Sequence, residues 1–176
     1  MYLFTSERLG FRNWQASDLD DFAQINADPE VMRYFPSVLS REETAAFITR
    51  LQGHYATHSL NYFAVEILKT RELAGFIGFA HQEYESPYTP AVDIGWRLKV
   101  SAWGKGYATE GAKRCLEYAF DVLQLDQIIS VCVLQNEPSE QVMKKIGMQR
   151  LGTFKHPRLK ATPQIEECVC YEIRKQ

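Results

Sequence analysis

The stretch SAWGKGYATEGA (101–112) sets two glycines around a lysine, directly ahead of a helical pattern. A helix beginning near Lys105 leaves its first amides without intrahelical partners, at the positive end of its dipole. With no side chains at Gly104 and Gly106, a phosphate can approach those amides closely, and Lys105 adds a positive charge at the rim. The stretch fails both common nucleotide templates. No Ser or Thr follows the lysine, as a mononucleotide loop requires, and Thr109 stands where a dinucleotide pattern needs its third glycine. A plain structural turn is the alternative. A second pattern, His54 and His58 at i, i+4 spacing, suits metal binding but lacks a third ligand in sequence, so it reads as a solvated helix end. The four cysteines (Cys115, Cys132, Cys168, Cys170) form no Cys-x-x-Cys pair and sit in apolar patterns, as buried free thiols do.

The elements that must position the glycine turn follow from periodicity. RLGFRNW (8–14) reads as a first strand, and Ser17 as the cap of a helix over DLDDFAQINA, with DPEVMRYF adding a short helical turn. SREE (40–43) is a capping box opening a helix that carries Ala46, Phe47 and Leu51 and ends near His54 to His58. NYFAVEILK (61–69) and LAGFIGFAHQ (73–82) read as an antiparallel hairpin, and AVDIGWRLKV (91–100) as a fourth strand running into the glycine turn. From Tyr107 to about Leu123 the apolar stripe Ala108, Ala112, Cys115, Leu116, Ala119, Leu123 is helical. QIISVCVL (127–134) reads as a buried strand, PSEQVMKKIG (138–147) as a helix stopped by Gly147, and two strands near 148–155 and 165–173 follow. Strand, turn, helix and central strand make one β–α–β unit in a mixed α/β sheet.

The 176 residues suit one domain (1–176), and a 45% hydrophobic, 24% charged composition is ordinary for a folded protein. A formal net charge of −2 gives no global basic field for nucleic acid or an anionic membrane. The first ten residues lack a secretion-signal pattern, and no apolar run reaches membrane-span length, so a cytoplasmic location is expected.

The run AVDIGWRLKVSAWGKGYATEGAKRCLEYAF, followed by NEPSEQVMKKIGM, resembles the GNAT superfamily of acyl-CoA-dependent N-acetyltransferases over roughly residues 7–155. Within it, the resemblance is to the Rim-type branch (ribosomal-protein-alanine N-acetyltransferase-like), which acetylates protein N-termini and small amines. The family's pyrophosphate-binding signature is read as Trp103-Gly104-Lys105-Gly106-Tyr107-Ala108, with tryptophan where arginine or glutamine is commonest. Trp103 therefore either packs beneath the turn or leaves the phosphates one donor short. The second family element appears as Asn136, Ser139, Lys145, Gly147 and Met148.

The resemblance implies an α+β GNAT-like fold: a mostly antiparallel sheet of about seven strands, about four flanking helices, and a splay after the fourth strand. It implies acetyl-CoA as co-substrate, no metal, and direct attack by an amine (a protein N-terminus or a small molecule) through a tetrahedral intermediate. Nucleic acid and membrane are not expected partners, and a monomer or a homodimer is expected. An amine needs a proton acceptor, lysine more than an α-amine. Asp93 of VDIGW, where the family often has glutamate, is the first candidate, acting through water; Glu66 and His81 are rivals. Met143 occupies the place of the family's usual tyrosine acid, which leaves Ser139 to hydrogen-bond the departing sulfur, to cap its helix, or both. Asn136 would bond the pantetheine arm, and the backbone from Leu98 to Val100 would pair with it and supply an oxyanion donor. Tyr34, Phe35, Tyr84, Tyr88 and Trp96 are candidates for a substrate groove or for core. Two other readings stand beside transfer: a non-catalytic acyl-CoA-binding module on the same fold, and a nucleotide-dependent enzyme.

Overall fold

A computed structural model describes residues 1–175. The strands are β1 (Phe4–Thr5), β2 (Leu9–Arg12), β3 (Tyr62–Ile67), β4 (Leu73–Gln82), β5 (Ala91–Leu98), β6 (Gln127–Val133), β7 (Gln149–Lys155) and β8 (Glu167–Arg174). They form one sheet in the order β1-β2-β3-β4-β5-β6-β8-β7. All neighbours pair antiparallel except β5 and β6, which run parallel at Asp93↔Ile129. The fold is thus α+β and mostly antiparallel. Eight strands rather than about seven arise because Phe4–Thr5 adds a two-residue edge strand, too short to show a period.

The α-helices are α1 (Leu19–Ala27), α2 (Arg41–His58), α3 (Tyr107–Asp121) and α4 (Glu137–Lys145). The expected box opens α2: the Ser40 hydroxyl accepts from Glu43 N, and the Glu43 carboxylate accepts from Ser40 N at 2.7 Å. Gly147, at φ +88°, follows the last turn of α4 in the left-handed region where glycine is favoured.

Three local expectations are corrected. Ser17 caps nothing; it lies in a 3-10 turn (Ala16–Asp18), where the Asp18 carboxylate accepts from Gln15 N and leads into α1. DPEVMRYF forms turns instead of helix, since Pro36 prevents the segment from continuing. Asn136, not Ser139, caps α4, its Oδ1 accepting from Ser139 N at 3.2 Å.

Two apolar clusters cover the sheet. Leu9, Phe11, Val65, Ile77 and Ile94 pack with Ala112, Cys115, Leu116 and Ala119 of α3. Trp14, Phe22, Ile25, Ile48, Leu51 and Phe76 join α1 and α2 to the sheet. Gly111 lets α3 approach closely, because a Cβ there would run into the Ile77 and Leu9 side chains. The N-terminus of α3 is pinned from behind: Glu110 accepts from Ser6 Oγ (2.7 Å), Arg8 N (2.8 Å) and Arg8 Nε (2.6 Å).

Candidate active site

Past Asp93↔Ile129, β5 and β6 part. The Ser130 hydroxyl donates to the Ile94 carbonyl at 2.8 Å, and beyond it Gly95–Leu98 and Val131–Val133 face each other across a cleft of about 890 Å³. That size suits a small-molecule or cofactor site. The β–α–β unit brings the N-terminus of α3 to the same cleft: Trp103, Gly104, Gly106, Tyr107 and Ala108 line it. Gly104 (φ +70°) and Gly106 (φ +79°) occupy the left-handed region, Gly106 as the N-cap of α3. Neither is crowded: a Cβ at 104 would meet nothing, and one at 106 would meet only Arg8 Nη2 at 3.5 Å. The glycines are there for backbone conformation. No side chain caps α3, so its leading amides are free for an anionic ligand.

The unsettled Trp103 resolves. Its indole Nε1 donates to the Leu98 carbonyl at 2.8 Å, so it braces the turn against the end of β5 while about 44% exposed. That bond engages a Leu98 group expected to face the pantetheine arm. The Val100 carbonyl likewise accepts from Trp103 N at 2.9 Å within a 3-10 turn (Val100–Ala102), and the Val100 side chain packs with the α1–α2 cluster. Leu98 lines the cleft, whereas Val100 and Lys105 are not among its walls. Lys105 offers its carbonyl to Arg8 Nη1 at 3.0 Å.

Of the three carboxyl or imidazole candidates, the structure brings only Asp93 into the cleft. Tyr62 Oη donates to Oδ1 at 2.7 Å and Gln82 Nε2 to Oδ2 at 3.1 Å. Burial pushes the Asp93 carboxyl up to about 6, against the opposing pull of those hydrogen bonds, the Ala80 backbone and the Arg158 charge. Such a carboxylate is mostly ionised at neutral pH yet more basic than an ordinary aspartate, as a proton acceptor requires. Glu66 is committed elsewhere. It binds Arg12 Nε (3.2 Å), Arg71 Nε (2.9 Å) and Tyr2 Oη (2.6 Å), and Arg12 also grips Asp18 through both terminal nitrogens (2.7 and 2.8 Å). His81 stands apart from the cleft, its ring beside His54 and His58 at the end of α2.

Those three histidines do not make a ligand set. His54 Nδ1 donates to the Leu60 carbonyl (3.0 Å) and Nε2 accepts from His81 N (3.3 Å), which occupies both ring nitrogens. No group of three or more His, Cys, Asp or Glu able to hold a metal occurs among the described residues.

At the α4 end, Asn136, Ser139, Met143 and Lys145 line the cleft. Asn136 spends Oδ1 on Ser139 N, which leaves its Nδ2 to donate outward. The cysteines are free thiols; Cys115, Cys168 and Cys170 are buried, while Cys132 is partly exposed on the cleft wall. Of the aromatic residues left open between groove and core, Tyr34, Phe35, Tyr84 and Trp96 line the cleft, while Tyr88 packs against Phe154 on β7. Sequence reasoning missed Tyr62, Gln82, Arg97, His156 and Arg158, all of which line the cleft. Tyr62 and Gln82 were visible only as strand residues, and His156 and Arg158 sit at a single 3-10 turn (Pro157–Leu159) after β7, too short for a period to mark them.

A family model described as "Acetyltransferase (GNAT) domain" matches residues 8–149. The chain belongs to the GNAT acetyltransferase family. An uncharacterized N-acetyltransferase of Bacillus subtilis (strain 168), YnaD, is 36% identical over 152 residues, which is 86% of this chain and 85% of that protein. A GNAT-family acetyltransferase of Bacillus anthracis, known from its crystal structure, is 31% identical, with TM-score 0.78 and coverage of 97% and 96% of the two chains. The ribosomal-protein-S5-alanine acetyltransferase of Vibrio fischeri shares the fold (TM-score 0.78, 97% and 95% covered) at 18% identity. This GNAT chain is accordingly an acyltransferase, with Rim-type structures among its fold neighbours. No helix of the described residues is long and apolar enough to cross a membrane.

Proposed function

We propose that this GNAT enzyme transfers the acetyl group of acetyl-CoA to a primary amine, on a protein N-terminus or a small molecule, by direct attack on the thioester. The observation that carries this reading is the partly buried Asp93 carboxyl, held by Tyr62 and Gln82 in the same cleft as the uncapped N-terminus of α3. The two halves fit the two substrates. Amides at Gly104 to Ala108 would hold the pyrophosphate, and Asn136 Nδ2 would donate to a pantetheine carbonyl. An amide near Leu98 would steady the oxyanion of the tetrahedral intermediate. Asp93 accepts the amine proton, directly or through one water. Ser139 lines the cleft and its hydroxyl makes no hydrogen bond among the described residues, so it can donate to the departing sulfur. A thiol of reference pKa about 8.5 needs only that modest help.

The test is release of free thiol from acetyl-CoA in the presence of peptides with free N-termini, polyamines and amino acids. The expected result is thiol release that depends on the amine. Tight CoA binding with no release for any amine would overturn the reading.

A further inference from the structure

Arg97 sits on the same face of β5 as Asp93 and Gly95, four residues from the proposed base, and it lines the cleft. Its guanidinium is stacked among aromatic rings: 4.2 Å from the centroid of Phe35, 5.4 Å from Phe76 and 5.8 Å from Phe47. Nη1 donates to Asn26 Oδ1 at 2.7 Å, and Asn26 is itself fixed by donating to Thr44 Oγ1 at 3.2 Å. Nε is fully buried with no partner. Among the described residues no carboxylate lies within ion-pair distance of Arg97. Burial lowers its pKa to about 10, which leaves it cationic at neutral pH.

The same chain shows how it treats a structural buried arginine. Arg12 is neutralised twice over, by Asp18 at 2.7 Å and by Glu66 at 3.2 Å. A buried charge left without a counter-ion is costly, and the rings supply only part of what water would. Arg97 bears that cost on the same strand face as Asp93, tied through Asn26 to α1 rather than to α3, where CoA phosphates are expected. Arg33, Lys145 and Arg158 line the same cleft, against the carboxylates of Glu30 and Asp93, so its walls carry more cations than anions.

We propose that Arg97 is the anchor for an anionic group on the acceptor, so that the preferred substrate is a primary amine bearing a carboxylate or a phosphate. Nη2, which makes no hydrogen bond among the described residues and is not sealed in as Nε is, can donate to either group. Four residues of strand span about 13 Å. The amine delivered toward Asp93 and the anion held at Arg97 are therefore separated by several bonds, with Phe35, Phe47 and Phe76 flanking the anionic end. A polyamine would place a second cation against Arg97 and is disfavoured.

This inference rests on the acetyl-transfer reading for its reaction but not for its binding, and calorimetric titration of the CoA-saturated enzyme isolates the binding. The probes are hexylamine, 6-aminohexanoate, 6-aminohexyl phosphate and spermidine. At least one anionic amine is expected to bind about tenfold or more tightly than hexylamine, with spermidine weakest, and the tighter anion identifies carboxylate or phosphate. Arg97→Gln is expected to erase that preference, and Arg97→Lys to retain part of it. Equal binding of hexylamine and both anionic amines to the wild-type enzyme overturns the proposal, even if the variants do not fold. A preference that survives in folded Arg97→Gln also overturns it. Thiol release measured in parallel separates the two readings: anion preference without release rejects acetyl transfer and keeps the anchor, whereas release without preference does the reverse.

Discussion

Asp93 carries a charge that burial makes costly and two hydrogen bonds make tolerable. If it is the proton acceptor, kcat rises as pH climbs through about 6 and then levels. Asp93→Asn is expected to lower kcat roughly 10²- to 10⁴-fold while leaving the CoA dissociation constant unchanged, which steady-state kinetics and titration would measure. Tyr62→Phe removes a donor that favours the ionised form, so the acidic limb of the pH–rate profile should move to higher pH. Asp93 also bears on stability. Its folded pKa of about 6 exceeds the ordinary 3.8, so between those values the folded chain holds a proton that the unfolded chain has lost. Linkage makes that contribution to stability decline as pH rises through the window, and Asp93→Asn should flatten the slope in urea unfolding.

Among the elements, the join between β5 and α3 works by backbone geometry. Gly106 at φ +79° is the N-cap, and an alanine there is strained by about 1–2 kcal/mol. Gly106→Ala should lower Tm by a few degrees and, if the α3 amides hold the phosphates as proposed, weaken CoA binding severalfold by tilting those amides. Gly111→Ala gives the contrast. It gains helix propensity but drives a methyl into Ile77, an overpacking cost of about 1–3 kcal/mol. Its Tm should fall while CoA affinity holds, since Gly111 is not a cleft wall. Calorimetry on the two variants, with and without CoA, checks both.

For the whole molecule, the cleft is a wedge opened in one sheet, and CoA placed there would bridge both halves. β5 and β6 pair at Asp93↔Ile129, with β1–β5 on one side and β6, β8 and β7 on the other. A ligand at a hundredfold its dissociation constant adds about 2.7 kcal/mol, and for a chain of this size Tm should rise by roughly 5–10 °C. Thermal melts with CoA, ATP and NAD check this. Protection by ATP or NAD at the expense of CoA would return the site to a nucleotide-dependent reading.

The sequence by itself determined what local chemistry controls. It located the capping box at Ser40, the stripe of α3, the hairpin of β3 and β4, and the glycine turn whose context marks the family. Each depends on residues close in the chain, and a period of 3.6 or 2 exposes them. Alternation in a strand states which residues share a face, but not which face meets a cleft. Asp93 and Glu66 are both strand carboxylates that accept from a tyrosine, and only the tertiary structure gave one an open wall and the other two arginines. Arg12 and Arg97 are both strand arginines, and they divide in the same way. One meets carboxylates contributed by chain 6 and 54 residues away, and the other meets rings and an asparagine. Which charge is neutralised and which is left without a carboxylate depends on partners that the fold brings together, and no local pattern records them.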